Sequence, residues 1–212
     1  MTPSIRMVSY TKPCIDGLET PQQLIAYCAR VSNPENQNNH ETADRLIKYL
    51  IRNAHWSPLE MVDVTFEIEI PRDIGRQILR HASFRFQEFS QRYAEALGFS
   101  DPRECRLQDT KNRQNSLPCL DEALTQEWFA RQTHVIELAE ETYQWALDNG
   151  IAKECARVVL PEGLTMSRMY MKGSIRSWIH YLQVRKDPST QKEHRAIALA
   201  IATAIETIWS QP

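Results

Sequence analysis

The sequence predicts an α+β fold: a single domain in which a mostly antiparallel sheet packs against long helices. Three observations carry this. Val62, Val64, Phe66, Ile68 and Ile70 alternate with Asp63, Thr65, Glu67 and Glu69. A period of two marks a strand with one buried and one wet face, the habit of antiparallel sheets. Two long segments, 121–149 and 191–209, carry apolar residues at helical spacing. Finally, 212 residues with 42% hydrophobic and 25% charged side chains, and no linker or repeat, suit one domain with a real core.

Residues 5–10 form a short opening strand, broken by Pro13 and Gly17. Thr20 and Pro21 read as a helix cap followed by proline in the first turn. The helix behind them carries Leu24, Ile25, Tyr27, Cys28 and Val31 as an apolar stripe. After a polar loop at 33–39, a second helix starts near Glu41 with Ala43, Leu46, Ile47 and Leu50 at helical spacing. Residues 55–60 interrupt the pattern before the alternating strand, which Pro71 stops. Asp73 to about Ala82 reads as a helix, on which Gln77, Arg80 and His81 share one side. Residues 98–119 form a long polar loop, a length that is either functional or disordered in a compact domain. The helix 121–149 ends at Gly150 and places Leu124, Trp128, Val135, Leu138, Ala139, Tyr143 and Ala146 in a core stripe. A short helix at 151–159, a strand at 166–171, a helix at 173–185 and the alanine-rich helix 191–209 complete the chain.

Composition excludes several classes. A formal net charge of −2 argues against a protein that coats nucleic acid. The most apolar run, Ala196–Ile205, is too short for a bilayer, and residues 1–6 lack a signal-peptide core. A cytoplasmic protein without a membrane partner is expected. The five cysteines include no C-x-x-C pair and read as free thiols. The six histidines are scattered, so no metal site is expected.

Chemistry concentrates in Arg80–Tyr93, where arginines, a histidine, a carboxylate and a serine interleave with Phe84, Phe86, Phe89 and Tyr93. Aromatic faces with guanidinium forks suit a flat, anionic ligand. An exposed loop with an aromatic anchor, or a stacking platform for single-stranded nucleic acid, has the same composition.

The stretch resembles the signature of the flavin-dependent thymidylate synthases: Arg-His-Arg, seven residues, then Ser. Here Arg80 and His81 are followed, after residues 83–89, by Ser90 and then Arg92-Tyr93. The extended form is matched at Ser83, Phe84 and from Phe86 to Ala94, but the third motif position is Ala82 instead of arginine. His55-Trp56-Ser57-Pro58-Leu59-Glu60, Ala156–Pro161, Gly173–Tyr181 with Arg185, and Thr190–His194 are similar to further family segments in the same order.

The resemblance implies reductive methylation of dUMP to dTMP, with FAD as cofactor and NADPH and methylenetetrahydrofolate as co-substrates. It also implies a homotetramer with active sites between subunits. By resemblance, dUMP is contacted by Gln77, Arg80, Glu88, Phe89, Ser90, Gln91, Arg92, Arg157 and Arg185, with Arg185 favouring ionisation of the uracil. FAD falls to His55, Ser57, Arg80, His81, Ala82, Glu88, Ser174, Ile175, Arg176 and His180. The chain lacks G-x-G-x-x-G, so no Rossmann site is indicated. Without the resemblance, Arg157 and Arg185 read as interfacial salt-bridge arginines. Two expectations surround Ala82. One is that Arg85 restores its missing charge from the same face of a continued helix. The other is a flavin- and nucleotide-binding relative with impaired turnover.

Overall fold

The computed structural model describes residues 1–209. Its centre is a four-stranded antiparallel sheet in the order β1 (Ser4–Tyr10), β2 (Asp63–Pro71), β6 (Met166–Ser174), β3 (Arg85–Glu88). The alternating strand is β2, paired with β6 along its whole length from Asp63↔Ser174 to Pro71↔Met166. Its even-numbered apolar residues are buried against Ile25, Trp178, Tyr181, Ile197 and Ile201.

Helices α1 (Pro21–Ala29), α2 (Ala43–Arg52), α6 (Ile175–Arg185) and α7 (Lys192–Trp209) supply that covering layer. Local chemistry sets their starts. Thr20 and Gln23 form a reciprocal capping box on α1, and the Ser174 side chain accepts from Ser177 N at the head of α6. Because β6 runs straight into that cap, the strand reaches Ser174 and the helix begins at Ile175. Gly173 therefore belongs to the strand instead of opening the helix. A Cβ there would lie 2.4 Å from the Phe84 ring, so this close approach requires glycine.

Three further expectations are corrected. The helix expected to reach Ala82 is α3 (Arg72–Ile78) and ends at Ile78. His81 N then donates to Ile78 O and Phe84 N to His81 O, closing turns that lead into β3. β3 went unseen because it is short and owes its extension to pairing with β6, from Arg85↔Lys172 to Glu88↔Met169. The long polar loop contains a hairpin, β4 (Arg106–Gln108) with β5 (Ser116–Pro118). Its tip is tied by the Asp109 carboxylate, which accepts from Lys111 N at 2.8 Å and Asn112 N at 3.1 Å. Those bonds hold Asp109 below the usual carboxylate range.

The stripe expected on α4 (Glu122–Asp148) is only partly a core. Ala139 is buried, and Tyr143 and Ala146 are buried with Ala156 of α5 (Lys153–Ala156). Leu124, Trp128, Val135 and Leu138 are exposed, Leu138 by 56%, as are Phe129 and Trp145. Helical spacing reports that a face is apolar, not that this chain alone covers it.

Candidate active site

The turn between α3 and β3 meets the ends of α6 and α7 at one sheet edge. Arg185, the last residue of α6, donates from Nε to His81 Nε2 at 2.9 Å. Within the described residues its two terminal guanidinium nitrogens make no hydrogen bond or ion pair. His81 is half-buried with its ring 4.9 Å from that of Tyr181. Burial, then the cations of Arg185 and Arg80, push its pKa down. His81 is thus a neutral acceptor that aims a permanently charged group. Gln77, one turn earlier, donates from Nε2 to Gln191 Oε1 at 2.7 Å.

A second cluster surrounds Glu88 on β3. Its carboxylate accepts from Ser167 Oγ at 3.2 Å and lies 3.9 Å from Arg72 and 3.8 Å from Arg76. The same arginines pair with Glu162, which they hold below the usual carboxylate range against the opposing effect of burial. Arg72, Arg76, Glu162 and Ser167 were absent from the sequence reading. The only signal was the i, i+4 spacing of the two arginines on α3. Beyond β3, Phe89 and Ser90 are half-buried, and Gln91 is buried with its side-chain Nε2 unpartnered. Arg92 is exposed and paired with Glu154 at 3.1 Å. Arg157, in the 3-10 turn Arg157–Val159, is half-buried. No hydrogen bond or ion pair among the described residues joins Arg92 or Arg157 to Arg185.

Of the residues assigned to the cofactor, His55, Ser57, Ser174, Ile175, Arg176 and His180 lie towards the other end of α6, while His81 and Glu88 belong to the clusters above. Nine residue steps along the helix separate Arg176 from Arg185, roughly 14 Å at 1.5 Å per residue. His180 packs edge-on against Trp56 with centroids 4.6 Å apart. Arg176 pairs with Glu60 at 2.9 Å. Glu60 lies in the 3-10 turn Ser57–Met61, beside exposed His55 and Ser57. Ser174 is 6% exposed and occupied as the α6 cap, and Ile175 is a core residue at 2%. Arg80 and Ala82 are exposed on the turn that links the clusters. Arg85 lies on β3, not on a continued helix, and its Nη1 donates to Phe84 O at 3.0 Å and Ala82 O at 3.4 Å.

A sheet edge of guanidinium and imidazole groups, set among aromatic rings, defines a site for an anionic aromatic ligand. Comparison with known proteins is specific. The family model described as "Thymidylate synthase complementing protein" matches residues 8–209. A flavin-dependent thymidylate synthase from Synechocystis is 54% identical over 200 residues, 92% of this chain and 91% of its own. A probable flavin-dependent thymidylate synthase from Paramecium bursaria Chlorella virus 1 is 49% identical over 197 residues, 93% of this chain and 91% of its own. The crystal structure of a UMP/dUMP methylase from Streptomyces cacaoi, bound to 5-Br dUMP, superposes with a TM-score of 0.82 at 28% identity. It covers 98% of this chain and 91% of its own. The chain belongs to the flavin-dependent thymidylate synthase family. It is accordingly an enzyme of the methyltransferase class that uses a flavin.

Proposed function

We propose that this chain converts dUMP to dTMP by reductive methylation, with FAD as the flavin, methylenetetrahydrofolate as carbon donor and NADPH as reductant. The observation that carries the reading is Arg185. His81 fixes its Nε, leaving two N–H-bearing nitrogens for a ligand. A guanidinium held in place stabilises the negative charge that develops on a uracil ring as C5 becomes nucleophilic. A solvated cation that must reorient would do so less well. Glu88, Ser90, Arg92 and Arg157 hold the rest of the nucleotide, with Ser90 and the arginines donating to phosphate oxygens.

The donor set at the head of α6 fits FAD. Two imidazoles, the Ser57 hydroxyl and the guanidinium of Arg176 are the types that hold a diphosphate and a heteroaromatic ring, with Arg80 on the adjoining turn. When bound, the flavin supplies relay of the one-carbon unit and hydride transfer. The protein's part is to orient the rings, exclude water and stabilise charge. The likeness to flavin-dependent thymidylate synthases at 49% and 54% identity supports retained turnover over the impaired-relative reading.

The exposed apolar side chains of α4 support a homotetramer whose subunits complete the sites. No helix of the described residues is long and apolar enough to cross a membrane. A cytoplasmic enzyme drawing on dissolved nucleotide and folate is part of the proposal. The experiment is turnover with dUMP, methylenetetrahydrofolate, NADPH and FAD: dTMP should form, and omitting dUMP or the folate should abolish it. Flavin reduction without dTMP under all conditions would contradict the reading.

A further inference from the structure

Behind Arg185 runs a half-buried to buried chain of hydrogen bonds whose polarity follows atom by atom. It begins at Glu193, paired with Arg106. Burial raises the Glu193 pKa, but the bonds from Arg106, the backbone and Gln191 bring it below the ordinary value, so it is ionised and can only accept. Gln191 must therefore present Nε2 to Glu193 Oε2, at 3.0 Å, which leaves its Oε1 to accept. That oxygen takes the Gln77 Nε2 donor at 2.7 Å, so Gln77 Oε1 is an acceptor as well. His194 Nδ1, 3.1 Å from it, must carry the proton. His194 Nε2 is then bare and accepts the Tyr181 hydroxyl at 3.0 Å.

The Tyr181 end of the relay is sealed, and the Glu193 end is half-buried. His194 is 0% exposed and Tyr181 2%. Burial, with the cation of Arg185 and the neighbouring His81, pushes the His194 pKa down to about 3, so the ring stays neutral at working pH. Burial likewise pushes the Tyr181 phenol up, keeping it a donor. Every member thus has one hydrogen-bonding role. Gln77, half-buried at the ligand edge, keeps an unused Nε2–H and an unused Oε1 lone pair, as does half-buried Gln191.

We infer that His194 is a positioning residue for the nucleotide: together with Gln191 it holds the Gln77 amide in one orientation, so that its remaining donor and acceptor meet the substrate in fixed order. A flipped amide would exchange donor for acceptor and mismatch a pyrimidine edge. The inference rests on the dUMP reading of the site.

The test is dUMP affinity of the flavin-loaded protein, measured by calorimetry for wild type, Gln77→Leu, His194→Leu and the double variant. Each single change should weaken binding roughly tenfold, and the double variant should be no weaker than Gln77→Leu. Losses that multiply, or a His194→Leu protein that binds like wild type, would overturn the inference. Should leucine fail to fold there, two polar replacements decide. The asparagine amide nitrogen overlays Nδ1 and still donates to Gln77; glutamine overlays Nε2 and serves only Tyr181. His194→Asn should bind within about threefold of wild type and His194→Gln about tenfold worse. The reverse ranking would sink the relay. A wild-type protein that does not bind dUMP would instead bring down the dUMP reading, and the role of His194 with it.

Discussion

Arg185 carries charge that no pH change near neutrality removes, and it meets His81 through a single nitrogen. Lysine has one donor centre and cannot both bind His81 and fork onto a ring. We therefore expect Arg185→Lys to lower kcat about 100-fold or more, as loss of a preorganised transition-state donor does. Steady-state kinetics with saturating dUMP check this, and a change confined to KM would make Arg185 a binding residue only. Arg85 gives a second case. Its guanidinium is exposed, so Arg85→Ala should weaken FAD binding by no more than about fivefold. Flavin fluorescence titration reads that directly. At this scale the sequence named His81 and Glu88 through the family signature and Arg185 through a further segment of the resemblance. It could not name their partners: Arg72 and Arg76 meet Glu88, and His194 meets Gln77, only because distant elements fold together.

At the scale of elements, legibility followed length and periodicity. β2 and α4 declared themselves because many residues repeat one pattern. β3 did not, since four residues show no period and its pairing partner lies more than eighty positions away. The end of α3 was misplaced for a related reason: Leu79 to His81 are competent helix residues, and it is the docking of Phe84 against Trp178 and Tyr181 that takes the chain out of the helix. Gly173 makes that docking possible. Gly173→Ala should force Phe84 aside and destabilise the fold by about 1–3 kcal/mol. Chemical denaturation gives the stability, and flavin affinity should drop with it because the displaced segment carries Arg80 to Ala82. An unperturbed variant would mean that the Phe84 contact is slack.

At the scale of the molecule, burial of neutral His194 couples stability to pH. An unfolded histidine has a pKa near 6.5, above the folded value of about 3. Between these limits the unfolded chain binds the extra proton. The stabilisation is thus complete above about pH 6.5 and declines as pH falls, by about 1.4 kcal/mol per unit for one proton. His81, also depressed, acts with the same sign. Urea unfolding between pH 6.5 and 5, above the carboxylate range, should show this slope, and His194→Asn should flatten it. The apolar stripe of α4 is internal at Ala139, Tyr143 and Ala146 and exposed at Leu124, Trp128, Val135 and Leu138, because helical spacing does not say what covers a face. Leu138→Glu should split the proposed homotetramer into smaller species by light scattering; an unchanged mass would place the interface elsewhere.

The most direct test begins with the visible spectrum of the purified, FAD-reconstituted protein, recorded before and after NADPH and then assayed for product. We expect a bound flavin that NADPH bleaches, and dTMP that accumulates only when dUMP and methylenetetrahydrofolate are both present. A protein that cannot be loaded with FAD, or one whose flavin is reduced without any dTMP being made, would contradict a thymidylate synthase built on Arg185 and this sheet edge.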